Sequence, residues 1–81
     1  MDRYSANDFG ENLKEIRKKK YYTQKDLAKA ISLDQARISR LEQGKALPNV
    51  EILVLIANEL NTSVGALLRN RQYKSKSKQK S

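Results

Sequence analysis

Cysteine and histidine are both absent from this sequence of 81 residues. Their absence excludes disulfide bonds, thiol nucleophiles, imidazole acid–base catalysis and zinc sites built on Cys or His ligands. We therefore expect neither an enzyme nor a protein with a metal or a cofactor. The lack of cysteine also fits a reducing cytoplasm, although many proteins simply have none.

Long hydrophobic runs are missing as well. The N-terminus, MDRYSANDFG, has no apolar stretch like that of a secretory signal. No segment approaches the run of roughly 18 apolar residues that crosses a bilayer. These features predict a soluble, cytoplasmic protein with no membrane partner.

Charge is distributed unevenly along the chain. The net charge is +8, but residues 1–68 carry 11 basic and 9 acidic side chains, and residues 69–81 carry 6 basic and none acidic. We predict a folded domain over 1–68 and a basic tail over 69–81 that is disordered without a partner. A basic balance favours nucleic acid or an anionic membrane as partner, and the plainer alternative is solubility alone.

Residues that break helices are scarce, with one proline and three glycines. Apolar residues recur at intervals of three and four, which is the spacing of helices with one buried face. The predicted helices cover 7–20, a second segment after Thr23, 35–43, 50–60 and a short fifth segment ending at Leu67 or Leu68. Because the connections are short, an all-α, compact five-helix bundle is the expected fold.

Several predicted helix ends carry capping signals. Thr23 and Asp26 have the spacing of a capping box. Residues suited to cap the next three helices are Asp34, Asn49 and Ser63. Gly44 and Asn61 are suited to the left-handed conformation that ends many helices.

The predicted third helix has few residues that suit a core. Ile38 and Leu41 point to one side, and the opposite side carries Gln35, Ala36, Ser39, Arg40 and Gln43. Gln can pair with adenine, Arg with guanine, and Ala can touch the thymine methyl, so this face matches base edges in the DNA major groove. On composition alone, an ordinary solvated helix face is the stronger interpretation.

The wider pattern favours the first interpretation. Features that agree together are Thr23-Gln24, Leu27-Ala28, Ile38-Ser39-Arg40-Leu41-Glu42, Gly44-Lys45, Pro48, Leu53, Ile56-Ala57, Leu60 and Leu67-Leu68. With them the sequence from Thr23 to Leu68 closely resembles the helix-turn-helix domain of the phage-repressor and Cro type, or XRE type. Ser32 and Asn61 depart from the pattern, since the family usually has glycine at both positions. Asn tolerates the left-handed conformation well, whereas for Ser the strain is about 1 kcal/mol.

The resemblance implies a lambda-repressor-like bundle in which helix three lies in the major groove and helix two crosses the backbone. The residues that it implies for base contacts are Gln35, Ala36, Arg37, Ser39 and Arg40. Those that it implies for phosphate contacts are Thr23, Gln24, Gln43, Gly44 and Lys45. The partner it implies is double-stranded DNA.

Arg17 and Glu42 stand at positions that commonly pair in this family. The resemblance implies a structural ion pair that locks helix three against helix one. The alternative is two independent surface charges, worth at most about 1 kcal/mol together.

The fourth helix carries more apolar surface than one face needs. We predict a twofold dimer contact that uses Ile52, Leu55, Val64, Leu67 and Leu68. The alternative is that an exposed leucine needs no explanation. A homodimer would read two half-sites roughly 34 Å apart, which makes an inverted repeat the expected target.

The leading interpretation is a sequence-specific, dimeric transcription regulator, most often a repressor in proteins of this look. An activating controller or the antitoxin of a toxin pair has the same sequence features. A second possibility is a protein-interaction module that docks helix three on another protein. A third is a basic RNA- or membrane-surface binder driven by the tail, although the tail lacks the apolar residues of an amphipathic helix.

Overall fold

Five α-helices follow one another in the computed structural model, which describes residues 4–71. They are α1 (Ala6–Lys19), α2 (Gln24–Ala30), α3 (Gln35–Glu42), α4 (Val50–Glu59) and α5 (Val64–Leu68). Residues 4–71 contain no strand and no helix long and apolar enough to cross a membrane. The predicted all-α five-helix bundle is confirmed. Residues 72–81, most of the predicted tail, lie outside the described part.

Side-chain caps begin four of the five helices. Ser5, Thr23, Asn49 and Ser63 each accept a hydrogen bond from the backbone N–H three residues later. The predicted capping box is complete, because Thr23 N–H also donates to Asp26 Oδ2 at 2.9 Å. Asp34 stands at the predicted N-cap of α3, but its side chain makes no cap hydrogen bond. The prediction for Asp34 is therefore right about the position and wrong about the bond.

The first four helices end in the same way. Each is followed by one residue with positive φ, namely Tyr21 (65°), Ser32 (59°), Gly44 (77°) and Asn61 (53°). After each of them, the next N–H donates to a carbonyl five residues earlier, as Leu33 N does to Ala28 O at 2.8 Å. These are Schellman motifs, which normally use glycine at the left-handed position. Three of the four do so here without glycine, at a cost in backbone strain.

The core draws on all five helices. Phe9, Leu13, Leu27, Ile56 and Leu67 are among its fully buried residues. Burying one such side chain stabilises the fold by about 1.5–3 kcal/mol. Helix α1 packs against α3 and α5, α2 against α3 and α4, and α4 against α5. This arrangement holds α3 from one side only and leaves its other side at the surface.

Two glycines let α1 approach the end of α3 closely. A Cβ atom on Gly10 would lie 2.5 Å from Leu41 O and 2.7 Å from Glu42 O. A Cβ atom on Gly44 would lie 2.7 Å from Asn7 Oδ1. Gly10 lies in α1, and both oxygens near its Cβ position are backbone atoms of α3. Because backbone atoms cannot turn aside as a flexible side chain can, a larger residue at Gly10 would force α1 and α3 apart.

Candidate nucleic-acid interface

The outer side of α3 is open to solvent. Ile38 and Leu41 are 0% and 3% exposed and face the core. The outer residues Gln35, Ala36, Arg37, Arg40 and Gln43 are exposed, and Ser39 is half-buried. No other part of residues 4–71 covers this side. The helix thus presents amides, guanidinium groups and one methyl group at the surface, as the sequence pattern predicts.

The turn before α3 sets the angle at which the helix is presented. Residues 31–34 connect α2 to α3, and Ser32 takes the left-handed conformation with φ 59°. Ser32 thus does what glycine usually does in this family. The side chain of Leu33 then packs against the core, which fixes the direction in which the chain enters α3.

An ion pair fixes the other end of α3. Arg17 Nε lies 2.5 Å from Glu42 Oε2, and Arg17 Nη2 lies 3.0 Å from Glu42 Oε1. Both side chains are almost fully buried, at 8% and 3% exposure. Arg17 Nη1 also donates to Tyr22 O at 2.7 Å. The planar guanidinium thus ties α1, the loop before α2 and the last residue of α3 together, which excludes two independent surface charges.

Gln24, at the first position of α2, joins the same network. Its Nε2 donates to Glu42 Oε1 at 3.0 Å, and the side chain is half-buried. The sequence predicts a phosphate contact at Gln24. A carboxamide nitrogen carries two hydrogens, so a bond to Glu42 and a bond to a phosphate are compatible. The ion pair places Gln24 beside the end of α3.

The other residues predicted to contact phosphates differ in their exposure and in their hydrogen bonds. Thr23 and Lys45 are exposed, and Gln43 Nε2 donates to Ser39 Oγ at 2.8 Å across one turn of α3. Gly44 N–H donates to Leu41 O at 3.1 Å, and the space beside Gly44 is filled by Asn7. This N–H therefore has an acceptor within its own helix end, and its contact with a phosphate stays a prediction.

The residues predicted to form a dimer contact also differ in their exposure. Leu55 is 40% exposed, and Ile52, Val64 and Leu68 are half-buried. Leu67 has no exposed surface and belongs to the core of its own chain. Its inclusion in a dimer surface is wrong, because a side chain with no exposed surface in its own chain offers none to a partner.

A buried asparagine on α1 has a structural role that the sequence did not predict. Asn12 is 1% exposed, and its Nδ2 donates to Leu67 O and Arg69 O, both at 2.9 Å. Its Oδ1 accepts from Arg71 Nη1 at 2.8 Å. Residues 69–71, which were predicted to belong to the tail, are therefore held against α1. A polar residue at the edge of the apolar stripe of α1 is the one signal for this site in the sequence.

Tyrosines of the loop between α1 and α2 were not predicted to matter either. The hydroxyl of Tyr22 donates to Glu59 Oε2 at 2.5 Å, and this bond raises the pKa of Tyr22. Tyr21 is 92% exposed with a φ of 65°. A bulky side chain is rare in that conformation, so residue type did not predict it at this position.

The helix-turn-helix family model matches residues 13–67, which is more than half of the chain. This protein belongs to the XRE-type helix-turn-helix family. The match includes α2, the turn and α3, and helices α2 and α3 are the helix-turn-helix itself. The family match places residues 13–67 in the helix-turn-helix domain, and relatives of the chain are named HTH-type transcriptional regulators.

Individual relatives agree with the family assignment. The chain is 34% identical over 62 residues to YazB, an uncharacterized HTH-type transcriptional regulator of Bacillus subtilis, covering 76% of this chain and 90% of YazB. It is 32% identical over 65 residues to BcrR, an HTH-type transcriptional activator of Enterococcus faecalis, covering 80% of this chain but 32% of BcrR. The chain thus spans about a third of the length of BcrR.

A solved structure shows the same fold. The restriction-modification controller protein C.AhdI from Aeromonas hydrophila superposes with a TM-score of 0.73 at 26% sequence identity. The match covers 76% of this chain and 94% of C.AhdI. The likeness therefore extends over nearly all of a small regulator.

Proposed function

We propose that this protein is a repressor that binds an inverted-repeat operator in double-stranded DNA as a homodimer, with α3 of each protomer in the major groove. The observation that carries the proposal is the open outer side of α3 over a buried inner side. The protein acts by occupancy, so no catalytic step, metal or cofactor enters the proposal.

The outer side of α3 supplies the base contacts. Gln35 and Ala36 lie in the first turn of α3 and Arg40 follows one turn later, so their side chains reach adjacent base pairs in one groove. Arg37 and Ser39 flank them. Arg has the geometry for guanine and Gln for adenine, and each well-placed bidentate contact discriminates against a wrong base by about 1–3 kcal/mol.

Phosphate contacts on either side set the register of α3. One group of proposed phosphate contacts, Thr23 and Gln24, lies at the start of α2. The other group, Gln43 and Lys45, lies at the end of α3, so the two groups flank the outer side of α3. The buried ion pair between Arg17 and Glu42 holds the start of α2 and the end of α3 in a fixed relative position. Phosphate contacts of this kind position the protein, whereas only the contacts of α3 choose the sequence.

Selection of binding sites from random duplex DNA tests the proposal. We expect a symmetric enriched motif, and we expect Arg40→Ala to weaken binding by about 5- to 150-fold for each half-site while relaxing the preference at one position of each half-site. Lys45→Ala is the matched control, because it should weaken all sequences alike and lower the salt slope by about 1 for each protomer. A pool that shows no enrichment would overturn operator recognition.

A homodimer requires a contact surface away from α3. We propose that Ile52, Leu55, Val64 and Leu68 form it, since all four keep apolar surface outside the core. Leu55→Glu should convert the dimer to a monomer in a mass measurement in solution. Val54→Glu is the control, because Val54 is 41% exposed against 40% for Leu55 but points about 100° away around α4. An unchanged mass for Leu55→Glu would remove this surface from the interface.

The sign of regulation needs its own measurement, since the relative BcrR is named an activator. A repressor lowers transcription in vitro from a promoter that overlaps the selected motif, and Arg40→Ala relieves that effect. Increased transcription from the same template would overturn the repressor assignment and keep the DNA-binding one.

A further inference from the structure

Tyr21, in the loop between α1 and α2, is an aromatic residue that the packing of its own chain does not use. Its side chain is 92% exposed, and its hydroxyl has no hydrogen-bond partner within residues 4–71. Its φ of 65° is one that a bulky side chain rarely adopts. Strained residues of this kind persist only where the surroundings enforce them, and they are concentrated at functional sites. The ring and hydroxyl of Tyr21 are thus available to a partner.

The backbone on both sides of Tyr21 is fixed. Tyr21 N–H donates to Lys18 O at 3.0 Å, and Tyr22 N–H donates to Arg17 O at 3.1 Å. The side chain of Tyr22 packs against the core, and its hydroxyl donates to Glu59 Oε2. Tyr21 therefore has a defined place in the structure, although its side chain lies in solvent.

This loop is tied to the end of α3. The guanidinium of Arg17 donates both to Tyr22 O and to the carboxylate of Glu42, and Glu42 is the last residue of α3. Thr23, a proposed phosphate contact, follows Tyr21 by two residues, which is a chain length of at most about 7 Å. Tyr21 thus lies beside the part of the molecule that the proposed function places on the DNA backbone.

The charge around Tyr21 favours an anionic partner. The exposed cations that flank it in the sequence are Lys18, Lys19, Lys20 and Lys25. The acidic residue nearest to it in the sequence is Asp26, whose carboxylate accepts from the backbone N–H of Thr23. A positive surface attracts a polyanion. A tyrosine on such a surface is suited to contact phosphate and sugar groups with its hydroxyl and its ring.

We propose that Tyr21 is a further contact with the DNA backbone, in which its hydroxyl donates to a phosphate oxygen next to those proposed for Thr23 and Gln24. This inference rests on the proposed function for the place of the duplex. The left-handed conformation turns the ring of Tyr21 outward, while the ring of Tyr22 stays on the core. Because the contact is with phosphate, it adds affinity without sequence preference.

Tyr21→Phe tests the contact, because it removes the hydroxyl alone from the full chain. Binding to a duplex of arbitrary sequence is measured by fluorescence anisotropy over a series of salt concentrations. The affinity should fall by about 2- to 13-fold for each protomer, which is the effect of one hydrogen bond. The slope of log affinity against log salt should not change, because a neutral hydroxyl releases no counterions.

Tyr22→Phe is the matched control, because it makes the same chemical change one residue later. The hydroxyl of Tyr22 is bonded to Glu59 within the protein, so its removal should lower the melting temperature and leave the affinity for DNA unchanged. Tyr21→Phe should show the opposite pattern.

Tyr21→Gly separates a role in binding from a role in folding. It relieves the left-handed conformation and should raise the melting temperature, yet it should bind DNA at least as weakly as Tyr21→Phe, because the ring is lost as well. A role of Tyr21 in folding alone cannot give a variant that is both more stable and weaker in binding.

Two results would overturn the proposal. An unchanged affinity of Tyr21→Phe would show that the hydroxyl does not contact DNA and would favour a protein as the partner of the ring. A lowered salt slope in Tyr21→Phe would assign the loss to the neighbouring lysines. Because the duplex is of arbitrary sequence, the outcome is independent of operator recognition: a protein that selects no motif but loses affinity in Tyr21→Phe contradicts the proposed function and retains the contact of Tyr21.

Discussion

Replacing Glu42 with Gln tests how much the buried ion pair that fixes the end of α3 contributes to the stability of the fold. The substitution keeps the size of the side chain and removes its negative charge. Arg17 then stays in place at 8% exposure with no carboxylate partner. Its hydrogen bond to Tyr22 O remains, and the new carboxamide oxygen can accept one more, but neutral oxygens cannot compensate a buried guanidinium charge.

The expected loss is large for so small a domain. Breaking a buried pair by removing one partner costs about 3–5 kcal/mol. At about 0.05–0.15 kcal/mol per residue, a chain of 81 residues has a total stability of about 4–12 kcal/mol. The melting temperature should fall by about 12–40 °C, since 1 kcal/mol is worth about 4–8 °C in a domain of this size.

Urea denaturation followed by circular dichroism measures the loss, and two controls isolate its cause. Glu11→Gln makes the same chemical change in the exposed pair with Arg71 and should cost at most about 1 kcal/mol. The double variant R17M/E42M replaces the pair with apolar side chains of similar length and should recover most of the stability. A cost below about 1 kcal/mol for Glu42→Gln would refute the reasoning, because that value belongs to an exposed pair.

Other positions give predictions of definite sign. Gly10→Ala should destabilise by about 1–3 kcal/mol in urea, because its Cβ meets Leu41 O at 2.5 Å, whereas the control Gly65→Ala, 3.8 Å from the nearest atom, should stabilise by up to about 1 kcal/mol. Tyr21→Gly should raise the melting temperature by relieving a φ of 65°, and a lowered value would contradict that strain. Hydrogen bonds from the backbone N–H and side chain of Thr23 lower the pKa of Asp26, so its contribution is present above its unfolded pKa and is lost as pH falls through the folded value; Asp26→Asn should remove that step from stability measured against pH.

The parts of the fold that the sequence predicts are those with local causes. The helix bounds follow from apolar spacing and from capping residues such as Thr23 and Asn49, which act within three residues. The open side of α3 follows from the same periodicity, because Ile38 and Leu41 fix which side faces inward. The pair of Arg17 and Glu42 lies far apart in sequence, and it was accessible only through the family resemblance.

The parts that the sequence does not predict depend on contacts between distant segments. Asn12 and Arg71 are 59 residues apart, and nothing in the spacing of either indicates the other. Leu67 differs from Leu68 only by a rotation of about 100° on a five-residue helix, so the sequence alone could not decide which of the two is buried.

The side-chain hydrogen bonds and close contacts that hold α3 lie at its C-terminal end, whereas its N-terminal end is set by the turn at Ser32 and the packing of Leu33. The C-terminal end is fixed by the ion pair of Glu42 and by the close approach of Gly10 and Asn7. At the N-terminal end, Asp34 makes no side-chain cap and Gln35 and Ala36 are exposed. The proposed phosphate contacts flank the C-terminal end, and the proposed base contacts begin at the N-terminal end. Changes at Gly10 or Glu42 should therefore shift the register of the whole helix and weaken every DNA sequence, whereas changes at Gln35 should alter the preference among sequences.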